Sequence, residues 1–296
     1  MPTYTFCIAP EDAHKRLDVF LAKAIPLCPS RAFVQHLIKS GSVSINGIPR
    51  KNNYKLIAGE TVDVSVQDKI SFDVKPENIP LDVFYEDSVL IVINKPSGMT
   101  VHPGAGCGSG TLVNALLCHC KKLSNVNDDM TRPGIVHRLD KETSGLMVAV
   151  KSNRAHVDLA HQFEGRIVKK CYVALVEGCV EFDEGVIDAP LGPDPLHRQK
   201  RSVLAREPKE AQTFYRVLKR FSKASLVLLM PRTGRMHQLR VHMAHLGHPI
   251  LGDEKYGKKN SFSRLALHAK ALAFFHPQTK AWVEFSSPTP SEFLLG

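Results

Sequence analysis

The sequence contains no run of about 18 apolar residues, which excludes a membrane-spanning helix. Its first residues, Met1-Pro2-Thr3-Tyr4-Thr5-Phe6, lack the basic segment followed by an apolar one that marks a secretory leader, so a cytoplasmic protein is expected. Seven cysteines, an odd number in 296 residues, fit reduced thiols better than a disulfide framework. Metal motifs are missing as well. Cys118-His119-Cys120 has no second pair at ligand spacing, and Leu112, Ala115 and Leu116 ahead of it read as the apolar face of a helix over 111–120, so buried thiols are expected. His237, His242, His245 and His248 cluster without a His-Glu-x-x-His, and the interval from 237 to 242 misses the i, i+4 spacing of two ligands on one helical face. Five glycines between Gly98 and Gly110 match neither a phosphate-binding nor a dinucleotide-binding fingerprint and predict a flexible loop. Neither a metal nor a cofactor is expected.

What is present is positive charge. Thirty-nine Lys and Arg against 29 Asp and Glu give +10 and a pI near 9.3, the footprint of a chain that meets phosphate backbones. Between Leu196 and Arg206, Arg198, Lys200, Arg201 and Arg206 occur without an acid; such a segment grips phosphates or is a solvated hairpin tip. The length allows two domains.

Leu17, Phe20, Leu21 and Ala24 have helical spacing that Pro26 ends, and Ser30 stands as an N-cap before Val34, Leu37 and Ile38, with Gly41 as the stop. Ser42 to Ile45 and Val62 to Val66 alternate as strands, and Asn46-Gly47 is a hairpin dipeptide. Two helices and a small sheet therefore occupy residues 14–70, followed by a linker over 71–80 containing Pro76 and Pro80. Beyond the linker, strands are expected at 89–93, 146–150, 168–176, 213–218, 226–230, 267–275 and 281–285, with helices at 154–163 and 238–246. Strands adjacent to strands with few helices between them predict an α+β chain whose second domain, 81–296, is a mixed, largely antiparallel sheet flanked by helices.

The densest chemistry lies in Gly134 to Val150. Two apolar runs, Ile135-Val136 and Leu146 to Val150, flank a turn that packs His137, Arg138, Asp140, Lys141, Glu142, Thr143 and Ser144 into eight positions, closed by Gly145. A loop this charged between buried strands is either a site of chemistry or a solvated turn holding an ion pair.

His137-Arg138-Leu139-Asp140 followed by Thr143-Ser144-Gly145-Leu146 resembles the active-site motif of RluA-type RNA pseudouridine synthases, which isomerise uridine. Asn94-Lys95-Pro96-Ser97-Gly98 with Val101-His102-Pro103, Lys170 to Val176, and Thr233 to His242 resemble three further blocks of that family in the same order. The N-terminal pattern, Arg16-Leu17-Asp18, Ser30-Arg31, Leu37 to Gly41 and Val43 to Gly47, resembles the RNA-binding module of a ribosomal small-subunit protein.

The resemblance implies Asp140 as nucleophile, Arg240 as its counter-charge, Tyr172 stacking on the uracil, and Arg138 filling the space that a flipped nucleotide vacates. It further implies that His137, Thr143, Lys95, His102, Arg235 and His237 bind substrate, and that Arg16, Arg31, Lys39, Arg50 and Lys51 of the module contact RNA. Burial penalises any ionised carboxylate and an adjacent guanidinium offsets this, which is why the pairing is needed. The blocks are most similar to the RluD-like branch, whose substrate is large-subunit ribosomal RNA; Met230-Pro231-Arg232 departs from that pattern. A monomer acting on RNA without a cofactor is expected. The competing readings are a retaining glycosidase, for which Glu142 is the only nearby second carboxylate, and a ribosome-associated RNA binder without catalysis.

Overall fold

A computed structural model describes residues 3–25, 31–65, 74–104, 107–126, 132–197, 200–259 and 261–294; the side chains of 31–33 and 36 fall outside the description. The expected cap at Ser30, the stop at Pro26, the side chain of Arg31, residue Arg198 and the boundary between module and linker therefore lie outside the described residues. What is described falls into two compact units, one up to Ser65 and one from Val74.

In the first unit, β1 (Thr3–Cys7), α1 (Leu17–Ala24), α2 (Arg31–Lys39), β2 (Val43–Ile45), β3 (Ile48–Pro49) and β4 (Thr61–Ser65) follow one another. The sheet order is β1-β4-β2-β3, antiparallel throughout. Asn46 and Gly47 take φ of 49° and 77°, the two left-handed positions that make a tight turn between β2 and β3. Leu17 and Leu21 of α1 and Val34 and Leu37 of α2 pack on Val43, Ile45, Val62 and Val64, so periodicities of 3.6 and 2 meet in one core. Strand β1 was not among the expected elements, although Tyr4 and Phe6 alternate with polar residues as an edge strand requires.

The second unit is built on a nine-stranded sheet. Its strands are β5 (Val83–Glu86), β6 (Leu90–Lys95), β7 (Ser144–Val150), β8 (Lys169–Glu177), β9 (Glu184–Asp188), β12 (Gln212–Arg220), β13 (Ala224–Pro231), β14 (Leu267–Phe275) and β15 (Trp282–Ser286), while β10 (Gly192–Pro193) and β11 (Arg201–Ser202) form a separate ribbon. The order is β5-β6-β7-β14-β8-β13-β12-β9, with β15 also on β14. Every pairing in it is antiparallel except β7 with β14. The α+β, mixed and mainly antiparallel architecture is thus the one expected from the sequence.

The centre of the sheet is apolar on both faces because a helix covers each. Leu112 and Leu116 of α3 (Leu112–His119) pack on Ile91, Ile93 and Met147, whereas Ala155 and Leu159 of α4 (Asn153–Glu164) pack on Leu90, Val92 and Val148. That alternation explains the unbroken apolar runs in β6 and β7. Thr111 caps α3 and Ser152 caps α4 through their side chains. Three expectations change. Ile135 makes a single bridge to Ala149 instead of a strand, since Gly134 at φ 77° turns the chain immediately before it. Strands β5 and β9, both at sheet edges, were not foreseen. Cys118 is exposed where a buried thiol was expected, because α3 turns that side to solvent; Cys120 is buried.

Gly145 fixes where the loop after Asp140 enters the sheet. At φ 114° it lies against β14 so closely that a Cβ would stand 2.3 Å from the Ala269 carbonyl oxygen and 2.5 Å from the Ala269 nitrogen. Gly145→Ala is therefore expected to destabilise the protein by about 2 to 4 kcal/mol through combined strain and overpacking. A urea-unfolding midpoint equal to the parent's would contradict this.

Candidate active site

The loop from His137 to Thr143 crosses one end of the sheet and borders a cleft of about 480 Å³. Strand β8 supplies the cleft with Lys170 and Tyr172, which share a face because they are two residues apart, and α5 (Gln238–His245) supplies Arg240. His137, Arg138, Asp140, Thr143, Tyr172, Arg235, His237 and Arg240, separated by up to 103 positions, come together in its lining.

Arg240 is the centre of the charge arrangement. Its Nε and Nη2 each donate to Asp253 at 2.7 Å, a two-pronged contact with a carboxylate that is completely buried. Asp253 also accepts from the backbone N–H of Lys255 at 2.9 Å and of Tyr256 at 3.1 Å, and the Tyr256 ring lies under the guanidinium at 5.3 Å. The remaining Nη1 reaches Asp140 Oδ2 at 3.5 Å. Arg240 is therefore shared, and held first by Asp253. Asp140 keeps about a fifth of its side-chain surface open to the cleft, 21%.

His237 adopts a left-handed conformation, φ 57°, just ahead of α5. This turns Nε2 to 3.8 Å from Asp140 Oδ2 and Nδ1 to 2.8 Å from the Tyr256 hydroxyl. The Tyr256 oxygen already accepts from the Arg201 N–H at 2.8 Å, so its own hydrogen is available to Nδ1 and the imidazole proton is assigned to Nε2, facing Asp140. Burial pulls His237 down to about 4 against the charge of Asp140, and pulls His137, which lies beside Phe163, down to about 3. The Val148 N–H donates to His137 Nε2 at 3.1 Å, which requires that nitrogen to be unprotonated. Tyr172 is shifted up by burial and by Asp140, so its hydroxyl stays protonated across the neutral range.

Two expected substrate contacts lie outside the cleft lining. Lys95 is buried, and its Nζ donates to the carbonyls of Pro96 at 2.8 Å, Met99 at 2.9 Å and Lys141 at 3.1 Å. With three acceptors satisfied, it ties the Lys141 backbone next to Asp140 to the end of β6. Burial brings it down to about 8 despite the charges of Glu142 and Asp140. His102 is buried as well, with Nδ1 at 3.0 Å from the Pro103 carbonyl.

In the first unit, Arg16, Lys39, Arg50 and Lys51 are all exposed, and Arg16 is also paired with the buried Asp18 at 3.0 Å. Asp253, Tyr256 and Lys170 were not foreseen as site residues. The signal for the first two was Gly252-Asp253-Glu254-Lys255-Tyr256-Gly257, a polar turn bracketed by glycines directly after the apolar Ile250-Leu251. The late histidines separate into packing partners and one cleft residue. His242 bonds Thr213 and the Ala189 carbonyl, His248 bonds the Glu177 carbonyl, and His237 faces Asp140.

His137, His237 and His268 are all held neutral by burial, the last to about 4. Unfolded histidines take up protons below about 6.5, so between pH 6.5 and 4 the unfolded chain binds more protons and stability falls as pH falls. At pH 5 each is expected to remove about 1 to 2 kcal/mol, before carboxylates contribute much. Urea midpoints that do not change between pH 7.5 and 5 would show these rings to be protonated in the fold.

The sequence and fold have close relatives. Residues 89–245 match the family described as RNA pseudouridylate synthase, and residues 15–62 match the S4 domain. The uncharacterized RNA pseudouridine synthase YlyB of Bacillus subtilis (strain 168) is 45% identical over 95% of this chain and 93% of its own length. The ribosomal large subunit pseudouridine synthase D of Neisseria meningitidis (strain Z2491) is 42% identical over 95% of this chain and 78% of its own. The solved structure of human RNA pseudouridylate synthase domain containing 1 aligns with a TM-score of 0.60 at 27% identity, covering 72% of this chain and 84% of that one. A match of this extent, spanning the loop of Asp140, strand β8 and helix α5, places the chain in the RNA pseudouridylate synthase family, as an RNA pseudouridine synthase with an N-terminal S4 domain.

Proposed function

We propose that this enzyme isomerises uridines of large-subunit ribosomal RNA in the cytoplasm, as a monomer and without a cofactor, with Asp140 as the covalent catalyst. The observation that carries the chemistry is the Asp140 carboxylate, open to the cleft and held 3.5 Å from a guanidinium whose other prongs are occupied by Asp253. Support for the substrate comes from relatives named for the ribosomal large subunit, at about 40% identity over nearly the whole chain.

The reaction breaks the N1–C1′ bond, turns the uracil and joins C5 to C1′; the C5 hydrogen leaves as a proton and N1 gains one, so atoms and electrons balance. A carboxylate serves as nucleophile when it stays ionised in a pocket that buries a base, and Arg240 provides the opposing charge. Tyr172 is neutral, which suits it to stacking on the base and hydrogen bonding more than to acting as a phenolate base. His237, neutral with Nε2–H toward Asp140, orients the carboxylate without competing with Arg240 for the charge. Arg138, exposed at the cleft border, takes the place of the extruded nucleotide.

Asp140→Asn is expected to abolish tritium release from RNA labelled at uridine C5 while leaving RNA binding within a few-fold. Turnover within about tenfold of the parent, a barrier change of only about 1.4 kcal/mol, would exclude Asp140 as nucleophile. Arg240→Ala should cost far more activity than loss of the outer cation Lys200, and Arg240→Lys should rescue poorly because a point charge cannot grip Asp253 with two prongs.

Deleting residues 1–70 is expected to leave a folded, active core, since each unit has its own apolar cluster, but to weaken binding to structured RNA and flatten its salt dependence. An unchanged slope of log affinity against log salt would place the phosphate contacts elsewhere.

A further inference from the structure

Lys170 is a cation in the cleft wall that lacks an anion. Its side chain shares the face of Tyr172 on β8 and lines the same cleft, yet among the described residues no hydrogen bond or ion pair reaches its ammonium. Three other shielded lysines of this unit are satisfied by oxygen partners, and Lys200 lies over the Tyr256 ring. Lys95 has three carbonyls, Lys151 has Glu86, and Lys270 has the Ser287 carbonyl at 3.0 Å.

Of the acids around the cleft, Glu164 is exposed and, among the described residues, makes no ion pair with Lys170, and the others are engaged. Glu210 holds Arg166 in a two-pronged pair at 3.1 and 2.9 Å, and Arg232 and Arg235 add positive charge beside it. Asp140 belongs to Arg240 and His237. Burial and the proximity of Arg166 both act against the charge of Lys170. A shielded, uncompensated ammonium is costly, and an arriving anion removes that cost. Space for one exists, because the residue against the ammonium is Gly234: a Cβ there would sit 3.7 Å from Nζ, and a longer side chain would cover it.

We propose that Lys170 is the seat of a backbone phosphate of the RNA, belonging to the nucleotide whose base meets Tyr172. The two residues are two positions apart, about 6.6 Å along the backbone, on one face of β8, so that face holds the target by its phosphate and by its base together. The cleft is then divided by function: Asp140, Arg240 and His237 address the reacting atoms, and Lys170 fixes where they lie. This rests on the cleft receiving a uridine, as proposed above.

Two measurements separate this proposal from that reading. The first is tritium release from a C5-labelled transcript of large-subunit ribosomal RNA. Lys170→Met is expected to raise KM at least tenfold with kcat within about threefold, and to lower the salt slope by about 0.7 to 0.9, the loss of one phosphate contact. Lys170→Arg should restore most of the KM. Unchanged KM and slope would overturn the proposal, and so would a fall in kcat at constant KM with an altered pH profile, which would make Lys170 a proton carrier. The second measurement needs no turnover: binding of uridine 5′-monophosphate and of uridine to the parent, followed by ligand-detected NMR. The parent should bind the monophosphate at least tenfold more tightly, and Lys170→Met should lose that preference. Equal binding of the two by the parent would overturn the phosphate seat even if the variant failed to fold. Absence of tritium release by the parent, with a Lys170-dependent preference for the monophosphate intact, would instead sink the proposed substrate and leave the seat standing.

Discussion

The guanidinium of Arg240 between two carboxylates is the contact on which the cleft depends. A fully buried Asp253 would be untenable alone; two prongs of Arg240 and two backbone N–H groups offset its desolvation. Once those prongs are committed, the planar fork leaves Nη1 aimed along one direction, and Asp140 lies there. The geometry of the exposed carboxylate is thus inherited from the buried one. Tyr256 couples the same group to its surroundings: its ring supports Arg240, its hydroxyl meets His237, and it anchors β11 through the Arg201 N–H.

The loop bearing Asp140 is held from both sides. Below it, the Lys95 ammonium gathers the carbonyls of Pro96, Met99 and Lys141, so a residue that resembles a substrate contact in sequence is a structural clamp. Behind it, Ser144 lies between His268 at 2.9 Å and Arg264 at 3.1 Å, and Gly145 allows β14 to approach. Such support from rigid neighbours fixes the position of a carboxylate carried on a loop.

Much of this was legible beforehand. Continuous apolar runs identified β6 and β7 because both faces of the central sheet are covered, and the residues of α1 and α2 announced a helical pair by spacing alone. Edge strands such as β5 and β9 escaped because their burial is one-sided and their composition is close to that of a loop. Asp253 and Lys170 escaped for a different reason. Their roles depend on which partner is present or absent in three dimensions, and local sequence carries no record of that.

The pairing of Ser144 and Gly145 with His268 and Ala269 has a consequence in time. It joins positions 124 apart, so on a growing chain the Asp140 loop lacks its support from β14 until that strand has been made. At roughly 5 to 20 residues per second that is a delay of about 6 to 25 s. Closing so long a connection is also among the slower steps of folding. The first unit, whose described residues end at Ser65, can form well before then. A nascent chain can thus complete its S4 domain while the Asp140 loop still lacks its support from β14.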